Sequence, residues 1–223
     1  MTWYWDPKKR RFVDSRGNAL SESEIRQAVD EYVQSVQENI DSKVAEYAAG
    51  TITAAALFAW MDEELTAMHG AAGSIAYGGL EQMTDREWRR IEDKLTEELI
   101  YLRNFKDDVH ASALGAEEIS PVGISARGQM YAEAGYSEYL GQVKARESDA
   151  GATMVRRVCL EDAASCDECV MLASDDYVPL DQIVDIGDAT CLSNCRCHYE
   201  FNYEGIEPLS LTAQEIFAPA GVQ

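Results

Sequence analysis

The sequence predicts a mainly α protein, a helical N-terminal domain followed by a small C-terminal α+β domain of zinc-binding type. Three observations carry that prediction. Four long segments repeat apolar residues at three- and four-residue steps, the period of a helix with one buried face. The pattern changes after Asp149-Ala-Gly151, where short alternating segments and turns replace the stripes. All six cysteines of the 223-residue chain lie between Cys159 and Cys197.

Residues 1–20 read as an aromatic and basic arm. Trp3, Tyr4, Trp5 and Phe12 surround Lys8, Lys9, Arg10 and Arg11, and Ser15-Arg-Gly-Asn18 reads as a turn. Such a run is expected to form an arm or hairpin whose aromatics pack on a neighbour, or dock on a partner. The helical domain is expected over 21–150. Ser21 and Glu24 have capping-box spacing, and Ile25, Val29, Val33, Val36, Ile40 and Val44 continue the first stripe until Gly50. A second helix is expected from Thr51 or Thr53, carrying Leu57, Trp60, Met61, Leu65 and Met68 inward and fading toward Gly78-Gly79. Thr84 and Glu87 open a third, with Trp88, Ile91, Leu95, Leu99, Leu102, Phe105 and Val109 on its apolar face. Gly115, Pro121 and Gly123 mark a loop over 112–125. A fourth helix is then expected from Ser125 or Ala126 to Arg146, with Met130, Tyr131, Ala134, Tyr139 and Val143 on one face. His69 and His110 stand alone on helices, without a Cys, Asp or His at a chelating offset, and read as core or surface histidines.

Residues 151–208 form the expected cysteine-rich, zinc-ribbon-like domain. Thr153–Leu160 is β-branched enough for a strand, and Tyr199, Phe201 and Tyr203 alternate with polar residues. Residues 209–223 read as a tail with a short helix at 212–217.

Composition narrows the function. Lys plus Arg total 19 against 40 Asp plus Glu, a formal net charge of −21. From Val158 onward there are 13 acidic residues and only Arg196 as a base. Such a surface disfavours nonspecific contact with nucleic acid or anionic membrane. The start of the chain lacks a signal-peptide pattern, and its longest apolar stretch, Ile52–Met61, is too short for a bilayer. A soluble protein made in a cytosol is expected, where clustered cysteines favour metal over disulfides.

The cluster reads Cys159, Cys166-Asp-Glu-Cys169, then Cys191-Leu-Ser-Asn-Cys195-Arg-Cys197-His198. Two cysteine pairs some twenty residues apart can place four thiolates on one tetrahedral zinc at a closed structural site. Cys166, Cys169 and Cys195 are the leading ligands, with Cys191 or Cys197 as the fourth. In extended chain Cys195 and Cys197 share a face, so both can reach an ion. Cys159 reads as a buried thiol, and His198 as solvent-facing or lying behind the ligands. Unligated thiols, one or two disulfides, and a redox pair at Cys166 and Cys169 are the competing readings. No His-x-Glu precedes the Cys-x-x-Cys, and no His-Glu-x-x-His, Gly-x-Ser-x-Gly or phosphate-binding loop is present, so no catalytic residue and no enzyme is expected.

Arg156-Arg157, Cys166-Asp-Glu-Cys169, the turn around Pro179 and Gly187, and Asn194-Cys195-Arg196-Cys197 together resemble the phage Mu F-like head morphogenesis, or minor capsid, family. A fainter likeness runs through Gly50-x-Ile52, Gly78-Gly79, Tyr101-Leu102-x-x-Phe105 and Met130-Tyr131. Many members end in His-Pro-x-Cys-Arg-Cys, and Cys191 stands one residue upstream of that histidine's place, which favours it as the replacement ligand. The resemblance implies a virion structural protein without catalysis of its own. It would be made in the host cytoplasm and sit in the head or neck, associated with the portal or the major capsid protein, with homo-oligomers possible and nucleic acid met only indirectly in the packaged head. The alternative of a different class is a zinc-stapled regulatory or nucleic-acid-binding module.

Overall fold

The computed structural model describes residues 3–113, 119–159, 166–173, 176–188, 195 and 197–203. It is mainly helical with a small C-terminal strand region beside a cysteine cluster. The first strands, β1 (Trp3–Asp6), β2 (Arg11–Asp14) and β3 (Ala19–Leu20), form an antiparallel meander. Four long helices follow: α1 (Glu22–Ala48), α2 (Ala54–Tyr77), α3 (Asp85–Ala113) and α4 (Pro121–Asp149). A 3-10 turn at Leu80–Gln82 joins α2 to α3. Then come β4 (Met154–Val158), the short α5 (Asp167–Leu172), β5 (Val178–Pro179) and β6 (His198–Asn202). The second sheet is antiparallel with order β5-β4-β6. Among the described residues no helix is long and apolar enough to cross a membrane.

The caps explain where the helices start. Ser21 accepts a hydrogen bond from the Glu24 backbone while the Glu24 carboxylate accepts from the Ser21 N–H, a complete capping box. Replacing Ser21 with alanine removes the hydroxyl acceptor while the backbone N–H still meets Glu24, and is expected to cost about 1 kcal/mol, read as a lower urea midpoint at unchanged slope. Gly50, in the left-handed region at φ 73, ends the first helix. Thr53 caps α2, and the Glu87 carboxylate reaches back to the Thr84 N–H ahead of α3.

The fourth helix departs from expectation. It starts at Pro121, some four residues before Ser125. Ser120 caps it, accepting from the Gly123 N–H at 3.2 Å. Proline fits the first helical position because its missing N–H has no partner there in any helix. Its other end reaches Asp149, with Gly151 turning at φ 93 into β4. Met130, expected on the packed face, is 45% exposed, while Tyr131 and Ala134 face inward as expected. The short helix expected at 212–217 lies outside the described residues.

Two apolar clusters fill the interior. One is a four-helix core in which Val36, Ile40 and Val44 of α1 meet Leu57, Met61 and Leu65 of α2, Phe105 of α3 and Ile124 of α4. The other joins the first sheet, α1, α2 and α4 to the C-terminal strand region. Phe12 from the first sheet, Ile25 and Val29 from α1, Ala76 from α2 and Leu140 from α4 share it with Val155, Cys169, Cys195, Cys197 and Tyr199. The boundary placed near residue 150 coincides with the α4–β4 turn, and this core continues across it.

The aromatics of residues 1–20 pack within the chain. Trp5 meets Phe12 edge to face at 5.0 Å, and the Arg146 guanidinium of α4 lies over the Trp5 ring at 3.5 Å. Trp3 and Trp5 lie half-buried against the shared core, while Tyr4 is exposed. At the end of α2, Gly78 takes the left-handed conformation (φ 83) directly beneath the backbone of Tyr4 and Trp5. At the β1–β2 turn Arg10 stacks on the Tyr203 ring at 3.8 Å, and the Tyr203 hydroxyl meets Glu147.

A buried polar chain crosses the helices. His69 Nδ1 lies 3.2 Å from Glu138, both side chains being almost fully buried. Gln142 donates to Glu138 at 2.8 Å, Tyr77 donates to Gln142, and Arg90 donates to Tyr77 and pairs with Asp149. His69 is thus a core histidine whose Nδ1 meets a carboxylate, while its Nε2 is buried without a hydrogen-bond partner among the described residues. Nearby, Glu98 lines a cleft of about 440 Å³ with Lys94, Tyr101, Arg127 and Tyr131. Burial raises its carboxyl above the ordinary 4.5, opposed by His69 and Lys94 and reinforced by Glu138. A raised acid stabilises the fold below its unfolded value, and that contribution fades as pH climbs through the folded value. Glu98→Gln is therefore expected to raise Tm at pH 7. The gain should vanish below about pH 4, where both chains carry a neutral group.

Candidate metal centre

The site is built by the register of β4 and β6. Their partners run from Met154↔Asn202 through Arg157↔Tyr199 to Val158↔His198. One further step sets Cys159 opposite Cys197. Side chains alternate across a strand, so Val155, Arg157 and Cys159 point to one face. Val155 and Arg157 are indeed buried, as are Tyr199 opposite Arg157 and Cys197 opposite Cys159. Cys195 and Cys197, two residues apart in extended chain, both turn inward, with 3% and 1% exposure.

The helix α5 brings the first pair over this face. Cys166 is its N-cap, and its sulfur accepts from the Cys169 N–H at 3.3 Å. One turn is long enough to aim Cys169 at the strand face, where it is 1% exposed. The sulfurs of Cys169, Cys195 and Cys197 all lie within 4.8 Å of one another. This buried group can bind a metal ion. Cys169 and Cys195 are 3.5 Å apart. A tetrahedral ion with metal–sulfur bonds near 2.3 Å needs sulfur–sulfur edges of roughly 3.8 Å, so modest rearrangement suffices.

Of the five sequence-predicted ligands, the structure thus assembles Cys169, Cys195 and Cys197. Cys166 caps α5 beside them and is not in the mutually close group. Cys191 lies outside the described residues. Cys159 differs from the buried thiol expected of it. It is only half-buried, its thiol donates to the Cys169 carbonyl at 3.1 Å, and its sulfur stands 3.0 Å from that of Cys197. The strand register, not the Cys-x-x-Cys spacing, explains that approach. His198, on the other face of β6, is half-buried, and its Nδ1 has no hydrogen-bond partner. Burial, together with the charges of Arg26 and Arg156, lowers its pKa below 6.5.

Arg157 is the residue that spacing alone did not single out as part of the centre. It is 1% exposed, and its Nη2 donates to Cys195 at 3.0 Å and to Cys169 at 3.3 Å. Its Nε and Nη1 are buried without a hydrogen-bond partner. Burial alone would lower its pKa, but the sulfurs of Cys195 and Cys197 outweigh that and hold it charged. The thiols respond in turn. Hydrogen bonds from Cys197, joined by Arg157, pull Cys195 far below the ordinary thiol value. Cys197 moves up, because it shares a proton with that thiolate and is itself buried.

The segment around the cluster is pinned to the helical body. Tyr199 donates to Asp185 at 3.1 Å and accepts from the Ile186 N–H at 2.8 Å, and Lys144 of α4 pairs with Asp185. On the outer face Arg156 binds Glu200 across the strands. No family model, no curated protein and no solved structure matches this chain.

Proposed function

We propose that this protein is a non-catalytic structural component of a phage particle, a minor head protein stapled by a structural zinc. The observation that carries the zinc is the buried group of Cys169, Cys195 and Cys197 inside a core shared with the helices. Thiolate donors in a closed, desolvated setting suit zinc held for structure rather than catalysis. Cys169, Cys195 and Cys197 would hold the ion, with a fourth thiolate drawn from the same segment, Cys166 and Cys191 being the sequence-favoured sources. Zinc would supply a cross-link there, tying α5 to the segment that leads into β6.

The particle assignment draws support from the resemblance of the cysteine motifs to the Mu F-like family. An acidic exterior with exposed Tyr101, Ile100, Val122, Val170 and Met171 suits contacts with other proteins, the portal or major capsid protein being the expected partners. Two measurements test the reading separately. Metal analysis of protein made in a cytosol should return about one zinc per chain; no bound metal, with mass shifts for disulfides, removes the staple. Mass spectrometry of purified particles should find the chain among the virion proteins, and its absence there removes the head-protein assignment.

A further inference from the structure

Arg157 presents a problem of charge. A guanidinium removed from water costs several kcal/mol unless an anion compensates it. Arg156, its neighbour in sequence, points outward and pairs with Glu200. Arg157 points inward, and the groups that accept its hydrogen bonds are the sulfurs of Cys169 and Cys195. Two of its nitrogens are buried without acceptors among the described residues. A set of neutral thiols, or a disulfide in their place, would leave this cation unpaired. A divalent ion bound by four thiolates carries a formal charge of −2, and by three thiolates −1. Either anion would be matched by a buried arginine.

We infer that Arg157 is the counter-charge of the metal–thiolate centre, a positioning residue that makes the cysteine cluster favour a bound divalent metal over free thiols or a disulfide. The inference rests on the zinc reading above and assigns a role to a residue that touches the sulfurs and not the ion. Its two N–H···S bonds fix the orientation of Cys169 and Cys195, and its positive charge offsets the excess negative charge gathered by the ligands. Partners of this outer kind are typically worth 10- to 100-fold in metal affinity.

The test compares zinc dissociation constants at one pH, by competition with a chromophoric chelator, for the full chain and three variants. Arg157→Lys retains the charge and is expected to stay within about threefold of the parent. Arg157→Gln and Arg157→Met remove it and are expected to bind at least about tenfold more weakly. Far-UV circular dichroism checks that the helices persist. Should Arg157→Met not accumulate as a folded protein, the Lys and Gln pair still decides. A glutamine variant that binds zinc as tightly as the parent overturns the counter-charge role while leaving the zinc reading intact. A parent chain that binds no zinc overturns both.

Discussion

Cys195→Ser is expected to abolish stoichiometric metal binding and free the segment beyond residue 150 from the core, with the four-helix core left folded. Three losses coincide at this sulfur. It is a donor in the mutually close group, it is 3% exposed, and it accepts the shorter of the two Arg157 hydrogen bonds. A serine hydroxyl is a poor zinc donor and a weak acceptor for a buried cation. Structural zinc contributes on the order of 10 kcal/mol of folding free energy in small domains, so losing even part of it outweighs the packing of five-residue strands. The four-helix cluster of Val36, Ile40, Leu57, Met61 and Phe105 includes no residue from the cysteine segment and should survive. The expected readout is less than about 0.2 zinc per chain, new protease cuts after residue 150, and largely preserved helical dichroism. Cys169→Ser should behave alike, because its sulfur shares both neighbours. Undiminished zinc content in either variant would remove these sulfurs from the centre.

Gly78→Val is expected to detach the first sheet at a cost of about 3 kcal/mol or more. Two penalties add. At φ 83 a β-branched residue is strained by roughly 1–2 kcal/mol. A Cβ there would also collide with the Trp5 nitrogen and stand 2.7 Å from Tyr4 Cα. Backbone cannot swing aside as a side chain can, so β1 must lift off α2. The Arg146–Trp5 stacking goes with it, leaving Arg146 to its other partners, Glu147 and the Ala76 carbonyl. Tryptophan emission should shift to the red as Trp3 and Trp5 meet water, and trypsin should cut at Lys8–Arg11. Gly50→Val, at a left-handed glycine with open space around it, should pay only the conformational part. Equal stability for the two variants would refute the collision.

The helical body was legible because its information is local. Stripes, capping boxes and left-handed glycines act over one or two turns, so α1, α2 and α3 begin and end close to where their residues place them. Pro121 and Gly123 misled because both residues break helices in their interiors, yet at the first turn the proline gives up nothing and the glycine supplies an N–H to Ser120. Met130 misled because a helix facing both α1 and α2 leaves a narrow exposed strip that apolar residues can occupy. The convergence of Cys169, Cys195 and Cys197 was legible in spacing. The approach of Cys159 and the burial of Arg157 were not, since both depend on a β4–β6 register set by pairing across some forty residues. Alternation from Val155 would have placed Arg157 inward, had the buried face of β4 been known. The packing of Trp5 over Gly78 likewise arises between segments more than seventy residues apart.

The stacking of Arg10 on Tyr203 has a consequence in time. The two residues are about 190 positions apart, and ribosomes add roughly 5–20 residues per second, so some ~10–40 s separate their appearance. During that interval the first sheet exists without β6 and its neighbour Tyr203, so the Arg10 contact cannot yet form. Closure of this core is thus a late, long-range event in biogenesis, and long-range closures are slow. Until then the shared core lacks Val155 and Tyr199, the parts that β4 and β6 supply, and such incomplete apolar surface is what chaperones hold. Any metal capture through Cys195 and Cys197 would belong to the same final stage.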